Sequence, residues 1–434
     1  MLNRLAWIAM VAAACAAAQE PSRDVARSIL QELIEINTTD SAGDNTAAAE
    51  AMARRLRAAG FAAADLEVVV PAPKKGNLVV RLRGSGSARP ILFLAHLDVV
   101  EARREDWTME PFRLAERDGY FYGRGTQDVK GEAALLMTNF IRLKREGFVP
   151  QRDLVLALTA DEEGGRGPNG VAWLLEHRRA LIDAGFCLNT DAGGGQSKAG
   201  RRVLYSVQAA EKGYLSFILR AKNPGGHSSL PVRENAIYEL AAALLKVRDL
   251  QFPENLNEVT RSYFERIPER PSNPAYENAL RRTTCVATLL AGGHADNALP
   301  QTADATVNCR VLPGETQAAV EQRLREAVGP GIEIHVKYPL APNPPSPLTP
   351  AVMSRIEGVV HAMWPGMPVV PAMETGGTDG RTLRGAGIPT YGTGQMFVDM
   401  EDIRAHGQDE RIRITDFYEG LELGYRLMKA MAPQ

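Results

Sequence analysis

The stretch that most constrains the fold is ILFLAHLDVV at 91–100. Its first five residues are apolar without a break, the pattern of a strand covered on both faces, as in a parallel sheet between helices. A second such run, DLVLALTA at 153–160, leads straight into DEEGG, and a third, FCLNTDAGGG, carries Asp191 at its end. Buried strands that deliver polar residues at their carboxyl ends predict an open α/β sheet with its site along that edge. His96 and Asp98 are one residue apart, so on an extended chain they share a side while Leu97 turns away. A neutral imidazole there can bind a metal, and a neighbouring carboxylate can hold the ring.

Around these strands the apolar residues recur at helical spacing over 22–36 and 46–59, the second run stopping at Gly60. Short β-type runs follow at 66–70 and 78–82. A long loop then delivers Asp128 in GRGTQD. That motif lacks the third glycine of a nucleotide fingerprint and no long strand precedes it, which excludes the nucleotide reading. The next helix, to about 145, lines up Ala133, Leu136, Met137, Phe140 and Leu143 on one face, with Asp128 expected at its N-cap.

From about 213 the texture changes to strand (214–221), helix (234–247), two strands (284–291 and 302–311), helix (315–327) and strand (332–338). That order is the split βαβ arrangement of a four-stranded sheet with two helices on one face. The segment 251–282 reads as a polar insertion within it. PLAPNPPSPLTP at 339–350 is a stiff extended connection, after which helix (351–361), GGTDGR, a GIPTYG strand and a helix (415–430) resume the α/β texture. The small domain is therefore expected to be inserted: catalytic domain 19–211, inserted domain 212–338, catalytic domain again 339–434.

Residues 1–18 read as a secretory signal peptide, with Arg4, an apolar run over 5–14 and three alanines before a cleavage point near Ala18. The expected location is periplasmic or secreted, and Cys15 leaves open a lipid anchor, although the usual leucine three residues earlier is absent. No later segment is apolar enough to span a bilayer, and a formal net charge of −2 with no basic run gives no case for nucleic acid. Cys187, Cys285 and Cys309 remain, an odd number without C-x-x-C spacing; whether Cys285 and Cys309 pair stays open.

The candidate ligands are His96, Asp128, Glu163 and Asp191, with His406 in AHGQDE. Two imidazoles and three carboxylates suit zinc or a similar divalent ion. Three carboxylates and one hydroxide balance two such ions, whereas a single ion leaves negative charge over. The absence of G-x-S-x-G and H-E-x-x-H excludes a serine hydrolase and a gluzincin. Gly376 and Gly377 offer backbone N–H groups beside the forked cation of Arg381, a carboxylate receptor by chemistry. His177, His294, His335 and His361 stand in contexts without partners.

In this order, HLDVV, GRGTQDVKG, TADEEGG, NTDAGG, GGHSS and AHGQDE resemble the aminoacylase / carboxypeptidase S / succinyl-diaminopimelate desuccinylase family of co-catalytic dizinc metallopeptidases and amidohydrolases. The likeness spans essentially the whole chain after the signal segment. It implies a zinc-exopeptidase-like α/β catalytic domain, a mostly parallel twisted sheet between helices, with an inserted ferredoxin-like lid and dimerisation domain. It implies two zinc ions per subunit, for which cobalt or manganese can substitute. Asp128 would bridge them, with His96 and Asp191 on one and Glu163 and His406 on the other. Glu162 would be the general base for a metal-bridging hydroxide, Asp98 would orient His96, and the Asp128–Val129 peptide would be cis. His227 would reach the partner's site in a homodimer, and Asn297 and Arg310 would contact substrate. The expected reaction is cleavage of an amide next to a free carboxylate, in small peptides (carboxypeptidase or dipeptidase type) or in N-acyl amino acids. A non-catalytic binding protein on the same fold predicts loss of a ligand or of the base, and all are present.

Overall fold

The three apolar runs lie side by side in the computed structural model, which describes residues 22–164 and 167–433. The segment read as a signal peptide lies outside the described residues. The first strands are β1 (Leu66–Val69), β2 (Asn77–Leu82), β3 (Ile91–His96), β4 (Leu154–Thr159), β5 (Phe186–Asn189), β6 (Gly194–Lys198) and β7 (Arg201–Glu211). A second sheet follows, from β8 (Gly213–Lys222), β9 (Thr284–Gly292), β10 (Thr302–Val311) and β11 (Ile332–Tyr338). Then β12 (Val369–Glu374), β13 (Thr390–Gly392) and β14 (Phe397–Asp399) return to the first sheet.

The large sheet runs β1-β2-β4-β3-β5-β13-β7-β6-β14, with β12 also on β7. Its centre, β4-β3-β5-β13, is parallel, and β1 and β2 close one edge antiparallel. The unbroken apolar run of β3 has a simple cause: both faces are covered. Ile91, Phe93 and Ala95 pack with the helices at 22–35, Asn45–Ala58, Lys130–Arg145 and Ile414–Met431. Leu92 and Leu94 pack on the other side with the helices Gly170–His177 and Asp379–Gly385.

The small sheet, ordered β9-β10-β8-β11, is antiparallel throughout. Its apolar face is covered by Leu240, Ala243 and Val247 of the helix Ala236–Asp249 and by Val320 and Leu324 of the helix Gln317–Val328. Cys285 and Cys309 face each other across β9 and β10 and form a disulfide, while Cys187 is free and buried.

The 251–282 segment corrects the expectation of a merely polar insertion. It holds two helices, Glu258–Arg266 and Pro274–Arg281, each opened by an Asn whose side chain accepts backbone N–H groups. Val259 and Leu280 are buried in the core of the large sheet, not of the small one, so the insertion packs onto the catalytic layer.

Candidate metal centre

His96 is the last residue of β3 and shares a side with Leu92 and Leu94. Its Nδ1 lies 2.9 Å from the backbone oxygen of Asp98 and 3.6 Å from that residue's carboxylate. A proton on Nδ1 shared with a carbonyl leaves the Nε2 lone pair for a metal. The Asp98 carboxylate spends its hydrogen bonds elsewhere, accepting the N–H groups of Glu162 (3.2 Å) and Glu163 (3.0 Å). It thereby ties the end of β3 to the turn after β4, where Asp161 at φ +60° and Gly164 at φ +82° reverse the chain. A cavity of about 190 Å³ opens beside Asp98 and Glu163, with Asp40, Glu101 and Asp161 in its wall.

Asp128 is not the N-cap that the helical pattern predicts. The cap of Lys130–Arg145 is Val129, and no side chain caps this helix. One residue further out, the Asp128 carboxylate is released from capping and stands between two imidazoles: Oδ1 lies 3.2 Å from His96 Nε2 and Oδ2 lies 3.1 Å from His406 Nε2. Asp191 Oδ1 is 3.5 Å from His96 Nε2, and Glu163 Oε2 is 3.0 Å from His406 Nε2. Glu162 Oε2 is 4.0 Å from His96 Nε2. The peptide after Asp128 is cis. All five sequence-predicted ligands and Glu162 thus converge on one spot.

The donor set fits divalent ions. Among the described residues, His96–Asp128–Glu163 and His96–Glu162–Asp191 each bring three ligand atoms within 4.8 Å of one another. His96 Nε2 is buried without a hydrogen-bond partner, an orphan that a metal would satisfy. Nitrogen and carboxylate donors at tetrahedral-scale spacing are those zinc takes.

Electrostatics point the same way. Burial pushes Glu162 up to about 10 and Glu163 up to about 7, with the negative charge of Asp191 or Asp128 adding to each. Burial likewise raises Asp191 to about 6, against the pull of His96. Burial would raise Asp128 too, but the imidazoles of His406 and His96 beside it hold it well below the usual carboxylate range. His406 is raised to about 9, chiefly by its bond to Asp128. Burial opposes a charge on His96, yet Asp191 and Asp128 lift its pKa well above the ordinary value. Four carboxylates this close need positive charge: protons supply it in the bare site, and divalent ions supply it better.

The predicted substrate contacts divide into two groups. Gly376 and Gly377 are exposed in the loop before the helix Asp379–Gly385, and Arg381 lies against Gly377. Arg310 sits over the face of Tyr214 at 5.0 Å, its pKa lowered by burial and by the nearby charge of Arg381. Among the described residues neither guanidinium has a carboxylate partner. His227 and Asn297 lie together elsewhere on the small domain, where Gly226–His227 pairs with Ala298–Leu299 and Ser228 N–H donates to Asn297 O (3.1 Å). His227 Nδ1 accepts from Ser229 N–H (3.1 Å), which leaves the ring proton on Nε2, and the ring is exposed. Among the described residues, no polar contact of either residue is with the ligand cluster.

Among the buried carboxylates that the sequence reading did not single out are Asp379, Glu211 and Glu410. Asp379 accepts from Asn169 Nδ2 (2.6 Å) and Thr159 Oγ1 (3.2 Å) and is raised to about 7 by burial. Glu211 pairs with Arg384 at 2.8 Å and accepts the Thr378 N–H and hydroxyl. Glu410 accepts the N–H of Asp128 itself (3.0 Å). Asp379 and Glu410 fall inside GGTDGR and AHGQDE, so the motifs held the signal without the burial that gives it meaning.

Residues 92–430 match the family model described as peptidase family M20/M25/M40. The chain is 28% identical over 378 residues to N-fatty-acyl-amino acid synthase/hydrolase PM20D1 of Homo sapiens, covering 79% of this chain and 74% of that one. It is 29% identical over 389 residues to probable carboxypeptidase S-like 2 of Dictyostelium discoideum, covering 81% and 74%. The solved structure of the M20 family metallo-carboxypeptidase Sso-CP2 from Sulfolobus solfataricus superposes with a TM-score of 0.70 at 17% identity, covering 94% of this chain and 99% of that one, which shows a common fold.

Proposed function

Because the chain belongs to peptidase family M20/M25/M40, we propose that it is a dizinc hydrolase that cuts the amide bond next to a free carboxylate in small peptides. The observation that carries this reading is the placement of Asp128, one carboxylate oxygen toward each of two imidazoles, with Glu162 at the edge of the same cluster. His96, Asp128 and Asp191 would hold one ion, and His406, Asp128 and Glu163 the other. When bound, such a pair lowers the pKa of a water and polarises the scissile carbonyl.

The rest falls to the chain's own side chains. Glu162 makes no side-chain hydrogen bond among the described residues, and its backbone N–H is held by Asp98, so the carboxylate is placed yet free to shuttle. It takes a proton from water and returns it to the leaving amine, work worth about 10²–10⁴-fold in rate. Arg310, Arg381 and the N–H groups of Gly376 and Gly377 receive the substrate carboxylate. His227, with its proton on Nε2, is a donor for the developing oxyanion of a partner subunit's site. A second copy fits the small domain, where edge strand β9 exposes Val286, Leu289 and Leu290 and the helix Ala236–Asp249 exposes Ile237, Tyr238 and Leu245.

The human relative's name supports a second reading, an N-acyl amino-acid hydrolase, which has the same bond and the same carboxylate. Export is supported by the disulfide Cys285–Cys309, which belongs in an oxidising compartment. Among the described residues no helix is long and apolar enough to cross a membrane.

The test is turnover of a panel of dipeptides and N-acyl amino acids by zinc-loaded protein, beside Glu162→Gln and His227→Ala. Glu162→Gln should abolish turnover with metal content unchanged, and mixing the two inactive variants under subunit exchange should restore activity. Substantial turnover by Glu162→Gln overturns the base assignment. No recovery despite proven exchange removes His227 from the partner's site.

A further inference from the structure

His96 rides on a central strand, but Asp128 and His406 sit on loops, and nothing in the ligand cluster explains what holds those two loops in register. The answer lies one layer out. The Glu410 carboxylate is fully buried and accepts four hydrogen bonds from the Asp128 loop. Oε1 takes the N–H groups of Gln127 (2.7 Å) and Asp128 (3.0 Å), while Oε2 takes the N–H of Gly125 (3.0 Å) and Nη1 of Arg124 (2.7 Å). In the opposite direction, Gln127 reaches into the His406 loop. Its Oε1 accepts the N–H groups of Arg404 (2.9 Å) and Ala405 (3.0 Å), and its Nε2 donates to Arg411 O (2.8 Å). Arg124, only 2% exposed, closes the frame by donating Nη2 to Gly407 O (3.1 Å).

We infer that Glu410 and Gln127 form a reciprocal brace, a pair of positioning residues that fixes the separation of Asp128 and His406 and so sets the affinity of the ion those two residues share. Each loop sends one side chain into the backbone of the other, so neither ligand can shift without breaking hydrogen bonds in both. The chemistry is demanding at Glu410. Four donors converge on it, and only an ionised carboxylate offers acceptors to all of them. Glutamine at 410 would turn an NH₂ group toward two N–H donors and leave the Arg124 guanidinium without its counter-charge. At Gln127, truncation removes four hydrogen bonds, the fourth from Nε2 to Asp402 O (3.4 Å), and buries no charge. This inference rests on the two-ion reading above.

Outer-shell partners of metal ligands typically govern affinity by about 10–100-fold. The experiment titrates zinc(II) into metal-free full-length protein against a chromophoric chelator, for the native chain, Glu410→Gln, Gln127→Ala, His406→Ala and the Gln127→Ala/His406→Ala double variant. Folding is checked by circular dichroism, and cobalt(II) spectra report the ligand field. Gln127→Ala, which frees the His406 loop, should keep one ion at native affinity and bind the other about 10–100-fold more weakly, while Glu410→Gln, which frees the loop of the shared ligand Asp128, should weaken both, each with an altered cobalt spectrum. Because the brace acts through His406, the double variant should bind no more weakly than His406→Ala alone, whereas a merely structural role gives additive losses. If Glu410→Gln fails to fold, Gln127→Ala and the cycle decide alone. Native affinity for both ions in folded Gln127→Ala, or additivity in the cycle, overturns the brace. A native protein that takes up a single ion overturns the two-ion reading itself, and the brace with it.

Discussion

Metal loading of this site should be a proton-releasing reaction, and the count follows from the electrostatics of the bare cluster. His406, raised to about 9 by its bond to Asp128, is cationic at pH 7, and Asp191 and Asp128 push His96 toward its charged form as well. Glu163, raised by burial to about 7, is half protonated, while Asp191 at about 6 is mostly ionised. Ligands must shed these protons to coordinate, so filling both subsites should release at least about one to two at pH 7. Glu162, raised by burial to about 10, is neutral in the bare site, and two nearby divalent charges should ionise it, adding about one more. The assay is calorimetric titration of zinc into metal-free protein in buffers of different ionisation enthalpy. The native chain should release about one proton more than Glu162→Gln, and apparent affinity should climb steeply between about pH 6 and pH 9. A count near zero would mean that the imidazoles are neutral without metal, and equal counts in the two proteins would mean that Glu162 is already ionised. Either result refutes the charge argument for the cluster.

Further outcomes can be measured directly. Arg310→Met and Arg381→Met should raise KM for substrates with a free carboxylate by about tenfold or more while leaving carboxamide-capped analogues unaffected, since each removes a charge-assisted hydrogen bond of about 1.5–3 kcal/mol; equal effects on both substrates would remove these residues from carboxylate recognition. Glu132 is fully buried, accepts the N–H groups of Gln395 and Met396, and is raised by burial to about 8. The native state therefore holds a proton that the unfolded chain sheds near 4.5, stability falls as pH rises from there through about 8, and Glu132→Gln should flatten that fall in thermal melts, raising Tm at pH 8.5 but not at pH 4. Leu280→Ala should cost about 2–5 kcal/mol and lower the unfolding transition of the catalytic layer, whereas Leu324→Ala should lower that of the small domain; calorimetry in which both act on the same transition would mean that the two cores unfold as one.

Much of this molecule is legible in its sequence because burial on two faces leaves an unmistakable trace. The run at β3 had to be a covered strand, and once it was, His96 had to sit at the carboxyl edge, where β4 and β5 deliver Glu162, Glu163 and Asp191. The two-layer inserted domain was readable for the related reason that its β-α-β-β-α-β order has few ways to pack. The N-cap assignment of Asp128 went wrong by one residue, and the miss is instructive. Capping and ligation compete for the same carboxylate, and the chain gives the cap to Val129 so that Asp128 can face two imidazoles.

What stayed hidden shares one property: it depends on which polar residues are buried, and burial of a charge is decided by distant chain. Glu410 looks like one more acid in a polar loop until Arg124, 286 positions away, closes over it. The insertion at 251–282 hid for the converse reason. Its helices are short, nine and eight residues, and polar on most of their surface, and the few residues they turn inward, such as Val259 and Leu280, sit in the core of the other layer. Local pattern reports what an element does to its own neighbours in sequence. The contacts that register one of these loops against the other are made across the fold, so the candidate ligands could be picked out from motif alone while the frame that positions them is visible only in the folded chain.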